Sequence, residues 1–177
     1  AIASGSLTPA QFLGDIRANQ PESMILVPEL LRLLVGGAAA GWHSPGMRFI
    51  AVGGARVSPD LLKQAAALGL PVFEGYGLSE CGSVTCLNTP GVNRTGSAGR
   101  PLPHARVRID AGGEILVSGT AMAGYVGAAA PAGGEIATGD LGEIDEQGFV
   151  HVRGRLKNVF INSFGRNISP EWIESEL

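Results

Sequence analysis

A chain of 177 residues, 45% hydrophobic and 16% charged, is long enough for one ordinary domain and the beginning of another, and it reads as soluble and globular. No apolar run approaches the roughly 18 residues of a membrane helix. A net charge of −3 with 11 scattered arginines offers no basic stripe for nucleic acid.

The first half alternates helices and apolar strands. In "TPAQFLGDIRANQ" Thr8 caps a helix, Pro9 takes its first position, and Phe12, Leu13 and Ile16 share a face. "SMILVP" is a short strand ended by Pro28, "PELLRLLVGG" a short helix stopped by its glycines, and "MRFIAVGG" a strand running into Gly53 and Gly54. "SPDLLKQAAALGL" repeats the helix grammar, with Ser58 as cap, Leu61, Leu62, Ala65 and Leu68 inward and Gly69 as the stop. "PVFEGYG" opens another strand. The strands read as buried on both faces, and the alternation predicts an α/β fold with a mostly parallel sheet. Ligands of such sheets sit beyond the carboxyl ends of the strands, where "GGA" and "GYG" both lie.

After about residue 95 helical periodicity gives way to short strands between glycine and proline turns, "HARVRID", "GEILVSG" and "GEIDEQGFVHVRG". This predicts a small antiparallel, barrel-like sheet packed beside the α/β part. "GYVGAAAPAGGEIATGD" reads as a mobile Ala/Gly/Pro loop. From Gly154 follow a polar joint, a strand, a loop and a helix start at Ser169 and Pro170, the opening of a small α+β domain. The divisions expected are residues 1–95, 96–156 and 157–177. A chain ending inside an amphipathic helix, with no obvious first strand for its sheet, reads as a piece of something larger. Its open sheet edge and apolar face should then favour self-association.

Cys81 and Cys86 stand in a C-x4-C pair, but no second Cys/His pair completes a metal site, and His43, His104 and His151 are isolated. Two reduced thiols fit a cytoplasmic protein. The sequons at Asn93 and Asn167 follow no signal peptide and read as chance matches. The chemistry-bearing residues cluster elsewhere. Gly75 and Gly77 allow close main-chain approach, Tyr76 offers a flat ring, Ser79 a hydroxyl and Glu80 a carboxylate. That set suits a magnesium nucleotide, because Mg²⁺ takes one or two carboxylates plus phosphate oxygens. Asp140, read as closing the loop on a turn, can accept both hydroxyls of a ribose, and Arg155 in "GRLKN" can meet ribose or phosphate.

Taken in order, "GGARVSPDLL", "GYGLSE", "GSAGRPLP", "GEILVSGTAMAGY", "TGDLGEIDEQGFVHVRGRLKN" and "NISPEWIE" resemble the adenylate-forming superfamily of acyl-CoA synthetases, peptide-synthetase adenylation domains and luciferases. The resemblance runs from about Met47 to the end. It implies that a carboxylic acid attacks the α-phosphate of Mg·ATP, giving an acyl-adenylate and pyrophosphate, and that the acyl group passes to a thiol such as coenzyme A. It also implies roles. Gly53, Gly54 and Ala55 would line the adenine and acyl pocket, Tyr76 would stack on adenine, Ser79 would touch the α-phosphate and Glu80 would bind Mg²⁺. Asp140 would hold the ribose, Arg155 would reach ribose or phosphate, Val152 would lie near adenine, and Lys157 would fall at the hinge of a rotating C-terminal domain.

The departures bear on activity. The family's lysine-bearing phosphate loop precedes these motifs and its second catalytic lysine lies beyond Leu177, whereas this chain has only Lys63 and Lys157. Since each lost charge-stabilising donor costs about 10²–10³ in rate, the 177 residues alone are expected to be inactive. Smaller departures are Ser79 for threonine, His104 where a glycine often stands, and "FGRN" before the last helix. The leading expectation is an acyl-CoA synthetase acting on an apolar, fatty acid, since "CGSVTCLN" supplies small side chains. The other readings are an adenylation domain that loads a carrier protein and a truncated, non-catalytic nucleotide-binding module.

Overall fold

The computed structural model of the chain describes residues 8–127 and 134–157 and the backbone of 160–161 and 167–168. Helix α1 (Pro9–Asn19) starts where the sequence predicts. Thr8 and Gln11 form a capping box: the Thr8 hydroxyl accepts from the Gln11 amide at 3.2 Å, and the Gln11 side chain accepts from the Thr8 amide at 3.1 Å. Phe12 and Ile16 fall on its buried face. Then come β1 (Ser23–Leu26), α2 (Pro28–Ala39), β2 (Phe49–Val52), α3 (Pro59–Ala67) and β3 (Val72–Tyr76). The three strands pair in parallel, Ser23 opposite Phe49 and Ile50 opposite Val72. Two short strands, β4 (Cys86–Leu87) and β5 (Arg100–Pro101), extend this sheet antiparallel in the order β1-β2-β3-β4-β5.

Three local expectations are corrected. The parallel strands are not buried on both faces. Leu26, Ile50 and Val52 pack with Leu31, Leu34, Leu61 and Leu62 from the helices, but Ile25, pointing to the other face, is 82% exposed. On that second face Phe49 and Phe73 stack, centroids 4.9 Å apart. Gly36 and Gly37 do not stop α2, which runs through them to Ala39. A Cβ on Gly37 would lie 2.7 Å from the Leu13 side chain, so this glycine lets α1 and α2 approach rather than ending a helix. Leu68 is on the surface rather than inward, because α3 ends just before it. Gly69, with φ +72°, turns the chain left-handed, and the Leu70 amide returns to the Ala65 carbonyl at 3.0 Å.

The second sheet is antiparallel, as predicted: β6 (Arg106–Ile109), β7 (Glu114–Ser118), β8 (Glu135–Ile144) and β9 (Val150–Arg155), in that order. Strand β8 takes in "EIATGD", which the sequence reads as loop; residues 128–133 of that loop lie outside the described residues. A core cluster of Cys81, Cys86, Ala98, Ile115, Val117, Ile136 and Val150 joins the two sheets, with Tyr76 and Met122 packed against it. Both thiols are free and buried, and burial pushes Cys86 up to about 12. Beyond β9, two short strands β10 (Phe160–Ile161) and β11 (Asn167–Ile168) pair antiparallel, and the helix start expected at Ser169 and Pro170 lies outside the described residues. Among the described residues no helix is long and apolar enough to cross a membrane.

A polar clamp fastens the loop before β5 to the β8–β9 hairpin. The Ala98 amide donates to the Val150 carbonyl at 2.8 Å and the Val150 amide to the Gly99 carbonyl at 2.9 Å. Phe149 lies between the guanidinium groups of Arg94 and Arg100, each 4.8 Å from the ring centroid. Asp145 meets Arg94, the amides of Gln147 and Phe149, and the ring of His151 at 3.1 Å. Burial alone would raise its carboxyl. The bonds from His151 and the two amides, with the Arg94 charge, outweigh that and bring it down to about 2. A folded value below the unfolded 3.8 means that this carboxylate's stabilisation is present above the unfolded value and is lost as pH falls through about 2. Asp145→Asn should therefore melt at lower temperature than the parent near neutral pH, with the deficit shrinking steadily as the acid limb is approached. Thermal unfolding followed at several pH values checks this, and a deficit independent of pH would rule out the carboxylate's charge as its source.

Candidate active site

The glycines at the strand ends interlock. The Gly53 amide continues the sheet by donating to the Leu26 carbonyl at 3.1 Å, and a Cβ on Gly53 would sit 2.7 Å from the Gly75 carbonyl oxygen. On Gly75 it would meet Leu87 at 2.8 Å, and on Gly77 the Ser83 carbonyl oxygen at 1.9 Å. Each of these glycines has a reason inside the protein, beside the ligand clearance that the sequence suggests. Gly54 and Ala55 lie just past β2 and are exposed.

Asp140 is not on a turn. It lies within β8, in a bulge where Thr138, Gly139 and Asp140 stand opposite Ile115. Gly139 takes φ +73° there and donates its amide to the Glu114 carboxylate at 2.7 Å. The Thr138 hydroxyl donates to the Ile115 carbonyl at 2.7 Å and accepts from the Asp140 amide at 3.1 Å. The bulge turns the aspartate toward β3 and β9. Its Oδ2 accepts from the Tyr76 hydroxyl at 2.6 Å, its Oδ1 lies 2.9 Å from Arg155 Nε, and only 4% of the residue is exposed. Tyr76, Asp140 and Arg155, 79 residues apart in the chain at their extremes, thus form one contact group. Burial first, then the bond to Asp140, pushes the Tyr76 hydroxyl well above its usual range, so it remains a donor.

After β3 a single 3-10 turn (Ser79–Cys81) presents an exposed Ser79 and a half-buried Glu80. Glu80, Arg155, Thr138, Leu78, Met122 and Tyr125 are among the residues lining a cavity of about 330 Å³. The Tyr125 hydroxyl donates to Glu80 Oε1 at 2.7 Å, and this bond, ahead of a backbone amide and the Arg155 charge, holds the Glu80 carboxyl below its ordinary value. One hard carboxylate at the lip of a cavity fits Mg²⁺ when the ion arrives with phosphate oxygens, and does not make a cage for the bare ion. Among the described residues no cluster of three or more His, Cys, Asp or Glu side chains is placed to hold a metal.

Other predicted residues fall outside that cavity. Val152 is half-buried, packs on the core between the sheets and stands opposite Gly142, and Lys157 is exposed in the turn after β9. The "CGSVTCLN" segment is less open than its composition implies: Cys81, Thr85, Cys86 and Asn88 are fully buried, leaving Gly82 and Ser83 exposed. Two polar groups were missed. Tyr125 ends the quoted "GEILVSGTAMAGY", yet nothing local ties it to Glu80. Glu74 faces the same side of β3 as Tyr76, beside Val52 in register. Its Oε2 is buried without a hydrogen-bond partner among the described residues, and burial, opposed by the Arg56 charge, raises the carboxyl to about 7. A charged residue in the middle of "VFEGYG" was the available signal.

The sequence profile of AMP-binding enzymes matches residues 2–126. The chain belongs to that family. A 2-succinylbenzoate–CoA ligase of Lactococcus lactis is 37% identical over 172 residues, covering 93% of this chain and 37% of the relative. A long-chain-fatty-acid–CoA ligase of Mycobacterium bovis is 33% identical over 168 residues, covering 92% of the chain and 27% of the relative. The O-succinylbenzoate coenzyme A synthetase of Bacillus subtilis, solved with ATP and magnesium, superposes with a TM-score of 0.82 at 28% identity over 96% of this chain and 38% of its own. The chain therefore spans between about a quarter and two fifths of the length of these relatives.

Proposed function

We propose that this chain is the nucleotide-binding part of an ATP-dependent acid–thiol ligase, which adenylates a carboxylic acid and passes the acyl group to coenzyme A. The observation that carries the reading is the meeting of Tyr76, Asp140 and Arg155 from three strands, with Arg155 and Glu80 lining one cavity. An ionised carboxylate has about four acceptor positions, and Tyr76 and Arg155 take two of them. The Asp140 carboxylate, oriented by these two partners, is the kind of acceptor that suits the two hydroxyls of a ribose. The Tyr76 ring offers a face to a purine, and the buried Oε2 of Glu74, two residues back on the same face, offers an acceptor for its amino group. Arg155 reaches ribose or α-phosphate, and Ser79, exposed on its turn, reaches the α-phosphate. Glu80 presents its carboxylate to Mg²⁺, which when bound offsets the phosphate charge during attack at the α-phosphorus. Gly53, Gly54 and Ala55 line the base and acyl side, Val152 lies behind the base, and Lys157 marks the hinge.

The names of the similar ligases favour coenzyme A as acceptor and extend the acid to aryl as well as fatty substrates. The test is pyrophosphate release by a full-length ligase carrying this chain, against a panel of aryl and fatty acids with and without coenzyme A. Release with one class, and thioester formation only with coenzyme A, is expected. No release with any acid would overturn the ligase reading, and acyl transfer to a carrier protein alone would replace the acceptor.

A further inference from the structure

The loop after β7 is strapped over the turn that carries Glu80. The Thr120 hydroxyl donates to the Cys81 carbonyl at 3.0 Å and the Met122 amide to the Glu80 carbonyl at 2.8 Å. The third tie, the Tyr125 hydroxyl on Glu80 Oε1, is the only one that acts on a side chain. The first two fix the backbone of the turn. The third fixes the carboxylate, occupying one of its oxygens beside the cavity that both residues line. Tyr125 is 63% exposed, so its ring adds little to the core, and neither its burial nor its packing accounts for the contact. A surface glutamate would otherwise sample several rotamers. Freezing it before a ligand arrives removes an ordering cost from binding.

We propose that Tyr125 is a positioning residue which holds Glu80 in the rotamer that meets the nucleotide-bound cation; this rests on the nucleotide reading above. The role predicts a split between two ligands of the same site. Tyr125→Phe in the full-length ligase should weaken Mg·ATP about three- to tenfold, the scale of one ordinary hydrogen bond, because Tyr125 positions Glu80 and does not itself meet the ligand. Metal-free AMP, which makes no use of the carboxylate, should weaken less than about twofold on the same scale. In a Glu80→Gln background the same substitution should add almost nothing to the loss of Mg·ATP affinity, because its route of action is gone.

Titration calorimetry with AMP in chelator and with Mg·ATP measures both constants, and circular dichroism of each variant checks folding. Equal weakening of both ligands overturns the inference, as does a full effect of Tyr125→Phe in the Glu80→Gln protein. Should Tyr125→Phe fail to fold, the loop matters to stability and the assigned role is wrong, because a 63% exposed side chain would then be structural. A parent protein that binds neither ligand overturns the nucleotide reading itself, whereas nucleotide binding indifferent to Tyr125→Phe overturns this inference alone.

Discussion

Gly77→Ala is expected to leave no folded protein, or one with a sharply lowered midpoint. The new Cβ would lie 1.9 Å from the Ser83 carbonyl oxygen, 2.6 Å from its carbon and 2.8 Å from Val84 Cα, all backbone atoms. No rotamer change relieves a backbone overlap. The facing loop cannot withdraw cheaply either: the Ser83 amide is bonded to the Leu78 carbonyl at 3.0 Å and the Thr85 amide to the Tyr76 carbonyl at 2.8 Å. Ser83 itself already holds φ +74°, a conformation costly for a residue with a side chain. Separating the two segments by more than an ångström breaks those bonds, so the cost should exceed about 3 kcal/mol, the upper part of the range for overpacked cores. Against a total stability of about 5–15 kcal/mol, that is enough to unfold a marginal domain. Gly14→Ala provides the contrast. Gly14 is an exposed position inside α1 with nothing within 4 Å of its Cβ and no left-handed backbone. There alanine should stabilise by up to about 1 kcal/mol through helix propensity. Urea unfolding of the two variants beside the parent measures both effects, and a Gly77→Ala protein as stable as the parent would mean that the loop yields where its hydrogen bonds say it cannot.

What could be read from the sequence is what the chain settles locally. The cap at Thr8 and the left-handed stop at Gly69 involve residues three to five positions apart, so composition and spacing suffice. The change from alternating helices and strands to a small antiparallel sheet after about residue 95 was legible for the same reason, since periodicity is a local property. Misreadings occur where the deciding partner is distant. Whether Gly37 ends a helix or admits Leu13 depends on how α1 lies, and whether Ile25 is covered depends on what stands over the sheet. The bulge at Thr138–Asp140 exists because of Ile115 and Glu114, more than 20 residues earlier, so "TGD" alone looks like a turn. At the candidate site the ordered motifs named Tyr76, Glu80, Asp140 and Arg155, but motif order carries no distances. That Tyr76 bonds Asp140 while Glu80 bonds Tyr125 is a fact of three-dimensional packing, and in the proposed function it separates the residues assigned to ribose from the one assigned to the cation.

Asp140→Asn should abolish the protein's preference for an intact ribose. The parent carboxylate has Oδ2 held by Tyr76 at 2.6 Å and Oδ1 by Arg155 at 2.9 Å, and in the proposed reading this fixed carboxylate receives the ribose hydroxyls. Asparagine keeps the volume. Its amide oxygen can face Arg155 and its NH₂ can face the Tyr76 oxygen, which is able to accept, so the fold should lose only about 1–2 kcal/mol. The ligand loses more, because a charged acceptor becomes a neutral one whose NH₂ is committed elsewhere. Hydrogen bonds to charged groups contribute about 1.5–3 kcal/mol each, so AMP affinity in a full-length ligase should fall by at least about tenfold. A general loss of stability would weaken every nucleotide alike. The ribose role instead makes the loss selective: the parent should bind AMP much better than 2′,3′-dideoxy-AMP, and Asp140→Asn should bind the two almost equally. Asp140→Ala, which leaves the half-buried Tyr76 hydroxyl without this acceptor and removes the partner of Arg155 Nε, should add a larger fall in melting temperature without restoring discrimination. Competition binding with the two nucleotides reads the selectivity directly, and an Asp140→Asn protein that still prefers AMP by the parental factor would place the ribose elsewhere than on this aspartate.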